Sequence, residues 1–209
     1  SFHTLIQAFT HQVETQPDRV ALLFETPDDG VVSWTWRKLS VAVARCAVDL
    51  QRRFDSEPSR PRHVGHASDN SFADVVIAIA TIAIGAMEVP VDSRLSDDEI
   101  RRRRNRMGGC WIDHAQRQQL RLGTVFQHQS VPHTEVDPDA PSLILWTSGT
   151  TGTCQGVTLS QRSLTANAAA KLRAVPQQLE DVRLSVLPLS HGYARTCDFG
   201  TWLLSGCTI

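Results

Sequence analysis

The chain has 209 residues, of which 41% are hydrophobic and 21% charged, an ordinary globular usage that excludes collagen, coiled coil and wholesale disorder. A formal charge of −1, from 21 basic and 22 acidic residues, provides no global field to hold nucleic acid or an anionic membrane. Only two of the basic residues, Lys38 and Lys171, are lysines, so any position whose chemistry needs a lysine stands out. The five cysteines (Cys46, Cys110, Cys154, Cys197, Cys207) are scattered, odd in number and without a CxxC pair. That pattern argues against a disulfide framework and against a zinc site, and it fits a reducing cytoplasm.

Phe2 to Thr15 carries Leu5, Ile6, Phe9 and Val13 at helical spacing. Val20 to Phe24 reads as a buried strand, and Val31 to Thr35 as its hairpin partner across the turn at Pro27 to Gly30. Trp36 to Phe54 is helical, and a Pro/Arg/Ser-rich loop follows from Asp55 to Pro61. His63 and His66, three apart, fall in a stretch that reads as a polar loop. Phe72 to Met87 is the most apolar segment; its run from Val75 to Ile84 is too short for the roughly 20 residues a membrane span needs, so it reads as a buried helix ending at Gly85. The strand Glu88 to Val91 follows it, and this helix–glycine–strand order predicts a parallel sheet with crossover helices.

Ser96-Asp97-Asp98-Glu99 fits a capping box, and Arg101 to Arg104 with Arg106 follow it as a solvated basic face. Gly109 to Ile112 reads as a short strand, Gln116 to His133 is polar and unassigned, and a linker lies near 134–141. The chain closes on Gly206-Cys207-Thr208-Ile209, which reads as a strand beginning, so these residues are expected to be part of something longer.

The chemistry concentrates after the linker. A strand, Ser142 to Trp146, runs into Thr147-Ser148-Gly149-Thr150-Thr151-Gly152-Thr153. Glycines let backbone approach a ligand, and hydroxyl and N–H groups turned inward suit a polyphosphate. The generic GxxxxGK[ST] pattern does not match, because from Gly149 the second glycine position holds Cys154. An ordinary Ser/Thr/Gly surface loop is the competing reading until the neighbouring residues are considered.

Leu145 to Val157 resembles the phosphate-loop signature of the adenylate-forming superfamily, which includes acyl- and aryl-CoA synthetases, adenylation domains of peptide synthetases and luciferases. That signature reads Thr-Ser-Gly-Ser/Thr-Thr-Gly-x-Pro-Lys-Gly-Val. Here it departs at Cys154, in place of proline, and at Gln155, in place of lysine. Three further stretches resemble family segments in the right order: Val31 to Leu39, Ile82 to Asp92, and Leu187 to Arg195. The resemblance implies an α/β fold with parallel sheets flanked by helices. Residues 1–209 would be the N-terminal part of the AMP-binding domain, the rest of the large domain and the C-terminal domain being absent.

It also implies a reaction in which a carboxylate attacks the α-phosphate of ATP, giving an acyl-adenylate and pyrophosphate, after which a thiol displaces AMP. By position, Thr147, Ser148, Gly149, Thr150, Thr151, Gly152 and Gln155 would hold the phosphates, with Mg²⁺ bridging them and no metal ligands of the chain's own. Coenzyme A would be the co-substrate. His191 would contact the acyl carboxylate, orienting it and excluding water, with Tyr193 and Arg195 in the substrate pocket; a structural salt bridge, with Asp198 as a possible partner, is the competing reading for Arg195. Leu-Pro-Leu-Ser-His followed by Arg195 resembles fatty acyl-CoA synthetases more than amino-acid adenylation domains, so fatty acids are favoured and aryl acids come next. Losing the lysine charge at Gln155 is expected to cost about 1–2 kcal/mol, or roughly 5–30-fold in rate. Two other readings stay open: a non-catalytic member that binds a nucleotide or acyl ligand, and an adenylation domain that loads a carrier protein. Family segments for adenine, ribose and the C-terminal lysine lie outside these residues, so the chain alone is expected to be inactive. Oligomeric state is not legible in the sequence.

Overall fold

The computed structural model describes residues 2–26, 30–121, 135–147 and 154–209. The first helix, α1 (Leu5–Thr15), starts at Thr4, whose hydroxyl accepts from the Gln7 N–H while the Gln7 side chain accepts from the Thr4 N–H. A hairpin follows, β1 (Val20–Thr26) antiparallel to β2 (Gly30–Thr35), as expected for two strands flanking the turn at Pro27 to Gly30; residues 27–29 lie outside the described residues. Thr35 caps α2 (Trp36–Ser56), whose apolar face carries Leu39, Val43, Ala47 and Leu50 into the core.

The main sheet has five strands: β3 (His63–Ser68), β4 (Met87–Asp92), β5 (Cys110–Ile112), β6 (Pro141–Thr147) and β7 (Gln155–Ser160). Their order is β5-β3-β4-β6-β7, parallel except for the antiparallel β6–β7 pair. The crossovers are α3 (Phe72–Ala83), between β3 and β4, and α4 (Asp97–Met107), between β4 and β5. Every residue of α3 is buried, which is why its apolar run shows no polar face. On the opposite face Met107 of α4 sits against Gly65 of β3. Beyond β5 comes α5 (His114–Arg121), and α6 (Gln161–Ala174) follows β7. The last helical stretch is α7 (Gly192–Ala194), a π-helical turn (Arg195–Gly200) and α8 (Thr201–Ser205), where Trp202 stacks on Trp36 at 5.0 Å.

Three local expectations are corrected. The stretch His63 to Ser68 is not a polar loop but β3, and its His66 is fully buried. Its polar side chains point inward because polar partners from other elements meet them there. Leu187-Pro188-Leu189, which by composition reads as a strand end running into the loop before His191, is irregular chain, and Val182, Leu184 and Val186 before it are exposed. The strand expected at the last residues is a single parallel bridge, Thr208 to Val182, beside hydrogen bonds that tie Ile209 to Ala21 and Leu23 of β1. Residues 135–140, in the expected linker, make a turn closed by the Ala140 N–H on the Asp137 carbonyl, and the chain re-enters the same sheet.

Gly109, just before β5, has φ +73°, and a Cβ placed on it would lie 2.4 Å from the His63 carbonyl oxygen. Gly109→Ala is therefore expected to destabilise the chain by more than about 2 kcal/mol in urea unfolding, since both the left-handed backbone and the contact with backbone resist it. A change below about 0.5 kcal/mol would overturn that account.

Candidate active site

Open α/β sheets take ligands at the carboxyl ends of their parallel strands, here the ends of β3, β4 and β6. Among the described residues β4 and β6 pair only at Glu88 and Leu143. The reason lies in β4. The Met87 and Ser93 N–H groups donate to the Arg62 and Ser68 carbonyls on the β3 side, so by alternation Pro90 turns towards β6. It has no N–H to give there, and the ladder stops.

The last residue of β4, Asp92, and the start of α7 meet at this place. His191 precedes α7, is 60% exposed, and holds Nε2 3.8 Å from the Asp92 carboxylate. Gly192 lies against Leu145 of β6. Arg94 forms hydrogen bonds of 2.6–3.3 Å to both Asp92 oxygens, and its guanidinium holds that carboxyl below the usual carboxylate range, so Asp92 stays ionised beside His191. Tyr193 is exposed. Arg195, by contrast, is buried: its Nη2 pairs with Glu88 and its Nε donates to the Leu189 carbonyl at 2.5 Å. The partner suggested by sequence proximity, Asp198, instead binds Arg183 at 2.8 Å.

Arg195 belongs to a larger buried network that the sequence did not disclose. Glu88 also faces His66 Nε2 at 3.0 Å. The other ring nitrogen of His66 lies 3.4 Å from Asp74 of α3 and 3.0 Å from the Arg117 guanidinium of α5. Arg117 in turn pairs with Asp74 at 2.5 Å and with Asp69, while Ser68 donates to Asp74 at 2.9 Å. Burial alone would pull the His66 pKa down, but the hydrogen bonds and charges of Asp74 and Glu88 outweigh it and raise it above 6.5. Burial would likewise raise Asp74, yet His66 and Arg117 hold it far below the carboxylate range.

The hydroxyl-glycine stretch lies between β6 and β7. Ser148, Gly149, Thr150, Thr151 and Gly152 are outside the described residues, but both feet of the turn are in place. Thr147 ends β6 and donates from its hydroxyl to the Gln155 carbonyl at 3.2 Å, and Gln155 opens β7. Trp146, one residue before Thr147, crosses towards Gly156, where a Cβ would lie 2.8 Å from Ile144 and 3.7 Å from the Trp146 ring. Part of the basic run on α4, expected as a solvated face, also reaches this turn. The guanidinium carbons of Arg103 and Arg106 lie 5.9 and 5.8 Å from the Trp146 ring centroid, and Arg106 Nη1 donates to the Cys154 carbonyl at 2.9 Å.

The chain belongs to the AMP-binding enzyme family, whose family model matches residues 9–109 and 109–209. A sulfoacetate–CoA ligase of Cupriavidus necator is 50% identical over 54 residues, 26% of this chain and 11% of the ligase. A chloroplastic long-chain-fatty-acid–[acyl-carrier-protein] ligase of Arabidopsis thaliana is 33% identical over 88 residues, 42% of this chain and 12% of that protein. Among solved structures, the N-terminal subdomain of Klebsiella oxytoca NpsA, in complex with 3-hydroxyanthranilyl-AMSN, superposes with a TM-score of 0.77 at 24% identity. The match covers 98% of this chain and 52% of that one, so this chain spans about half of the solved domain.

The network makes stability depend on pH with a definite sign. The His66 contribution is complete below its ordinary pKa of 6.5 and is lost as pH rises through the raised folded value. The Asp74 contribution is complete above its ordinary 3.8 and is lost only as pH falls through the depressed folded value. Urea unfolding is expected to show a loss of stability on going from about pH 6 to about pH 9 that His66→Gln flattens. Identical pH profiles for the two proteins would remove His66 as the cause.

Proposed function

We propose that the protein containing this chain activates a carboxylic acid with ATP, first as an acyl-adenylate and then as a thioester with coenzyme A, with fatty acids as the favoured substrates. The observation that carries this reading is the turn between Thr147 and Gln155 at the end of β6, on the same sheet edge where His191 meets Asp92. Thr147, Ser148, Gly149, Thr150, Thr151 and Gly152, with the Gln155 amide, are assigned to the β- and γ-phosphates. A carboxylate oxygen attacks the α-phosphorus, the bond to the β-phosphate bridge breaks, and pyrophosphate departs with the electron pair. A thiolate then attacks the acyl carbon and AMP leaves. Mg²⁺, held through the phosphates, would supply neutralisation of charge on the leaving oxygens.

His191 orients the carboxylate and keeps water away, its ring steadied by the ionised Asp92. Tyr193, exposed beside it, forms part of the acyl pocket wall. Arg195 acts on the same pocket from beneath, because it holds the Leu189 carbonyl two residues before His191. The fatty acyl preference is supported by the Leu187 to Arg195 pattern and by the plant fatty-acid ligase relative. The five free cysteines support a reducing, cytoplasmic setting. Residues 1–209 are assigned to the first part of the larger AMP-binding domain.

A non-catalytic reading is favoured by Cys154 and Gln155, which stand where the family signature has proline and lysine. ATP–pyrophosphate exchange by the complete protein, with a panel of fatty and aryl acids, separates the two. Exchange is expected, strongest with a fatty acid, and Gln155→Lys is expected to raise it by about 5–30-fold. No exchange with any acid, and no gain in Gln155→Lys, would leave the non-catalytic reading standing.

A further inference from the structure

We propose that Asn70, just beyond the carboxyl end of β3, is a positioning residue for His191, acting through the backbone of Leu189. The proposal rests on the reading of His191 as the group that orients the acid. The His191 side chain is 60% exposed, and its Nε2 stands 3.8 Å from the Asp92 carboxylate. That charge steadies the ring but is too far away for a hydrogen bond, so the place of the residue depends on the backbone that carries it. This backbone is a tight turn: the His191 N–H donates to the Pro188 carbonyl at 2.9 Å, with Leu189 and Ser190 between them.

Both polar backbone groups of Leu189 are held from outside the turn. Its N–H donates to Asn70 Oδ1 at 3.2 Å, and its carbonyl accepts from Arg195 Nε at 2.5 Å. Asn70 Nδ2 also donates to the Ser185 carbonyl at 3.4 Å, so one amide spans the irregular segment from Ser185 to Leu189. The backbone of Asn70 is what aims that amide. Its φ is +62°, the one left-handed non-glycine value among the described residues, and its N–H donates to Asp74 Oδ2 at 2.8 Å. Asparagine tolerates this conformation better than most side chains, whereas glycine tolerates it but carries no amide. Asp74 is in turn held by Arg117 and Ser68, so the clamp on Leu189 stands on the buried network at both ends.

The test uses the complete protein, in ATP–pyrophosphate exchange and in amide hydrogen exchange. Asn70→Gly keeps the left-handed backbone and removes both amide bonds, so the chain is expected to fold. It is expected to raise KM for the carboxylic acid about 3–10-fold, to leave KM for ATP within about twofold of wild type, and to speed hydrogen exchange at the Leu189 amide. His191→Ala is expected to raise the acid KM by itself, and adding Asn70→Gly to it is expected to cause no further rise; a role unconnected with His191 makes the two effects add. Equal rises in both KM values, additive effects in the double variant, or unchanged hydrogen exchange at Leu189 in Asn70→Gly overturn the proposal. An unchanged acid KM in His191→Ala, or wild-type protein active with no acid, refutes only the functional reading of His191. The clamp is then judged on hydrogen exchange, where acceleration confined to residues 185–191 in Asn70→Gly upholds it.

Discussion

Where β3, β4, α3 and α5 meet, Glu88, Asp74, Arg117, Arg195 and the His66 ring are held out of water together. Charges in that position add little net stability over a well-packed apolar cluster, but removing one partner strands another and typically costs about 3–5 kcal/mol. The network therefore specifies more than it stabilises. Arg195 reaches Glu88 across 107 positions of sequence, and through the Leu189 carbonyl it fixes the segment that presents His191. Asp74 is the charged exception in an otherwise uncharged, fully buried α3, and its bonds to Arg117 and Ser68 tie that helix to α5 and β3. The sheet, its covering helix and the His191 segment share one set of hydrogen bonds.

Elements whose signal is local were legible. The strand–turn–strand order of β1 and β2, the apolar run of α3 and the Ser96 cap of α4 each depend on residues a few positions apart. β3 was not, because its inward positions include His66 and Ser68, and only distant partners make those residues fit a core. The same limit hid the true partner of Arg195: sequence proximity pointed to Asp198, while the buried geometry supplied Glu88. The Leu187 to Leu189 stretch carried a strand's composition without a neighbouring strand to pair with, and composition cannot report that.

At the candidate site, the motif placed the turn after β6 and His191 on its own loop, but not their relation to Asp92 or to α4. Arginines at consecutive positions look like a solvated face because most such runs are one. What separates Arg103 and Arg106 from that pattern is a tryptophan about forty positions later, brought beneath them by the sheet. Gly156 contributes silently: it leaves room beside Ile144 and Trp146, which a periodicity argument would register only as a weak point in an edge strand.

Pro90 separates two properties that are often entangled. The end of the hydrogen-bonded ladder between β4 and β6 is set by a missing backbone hydrogen, not by the size of any side chain. Residues near His191 and Tyr193 are free to change in bulk or polarity without touching the backbone hydrogen bonds that hold the sheet.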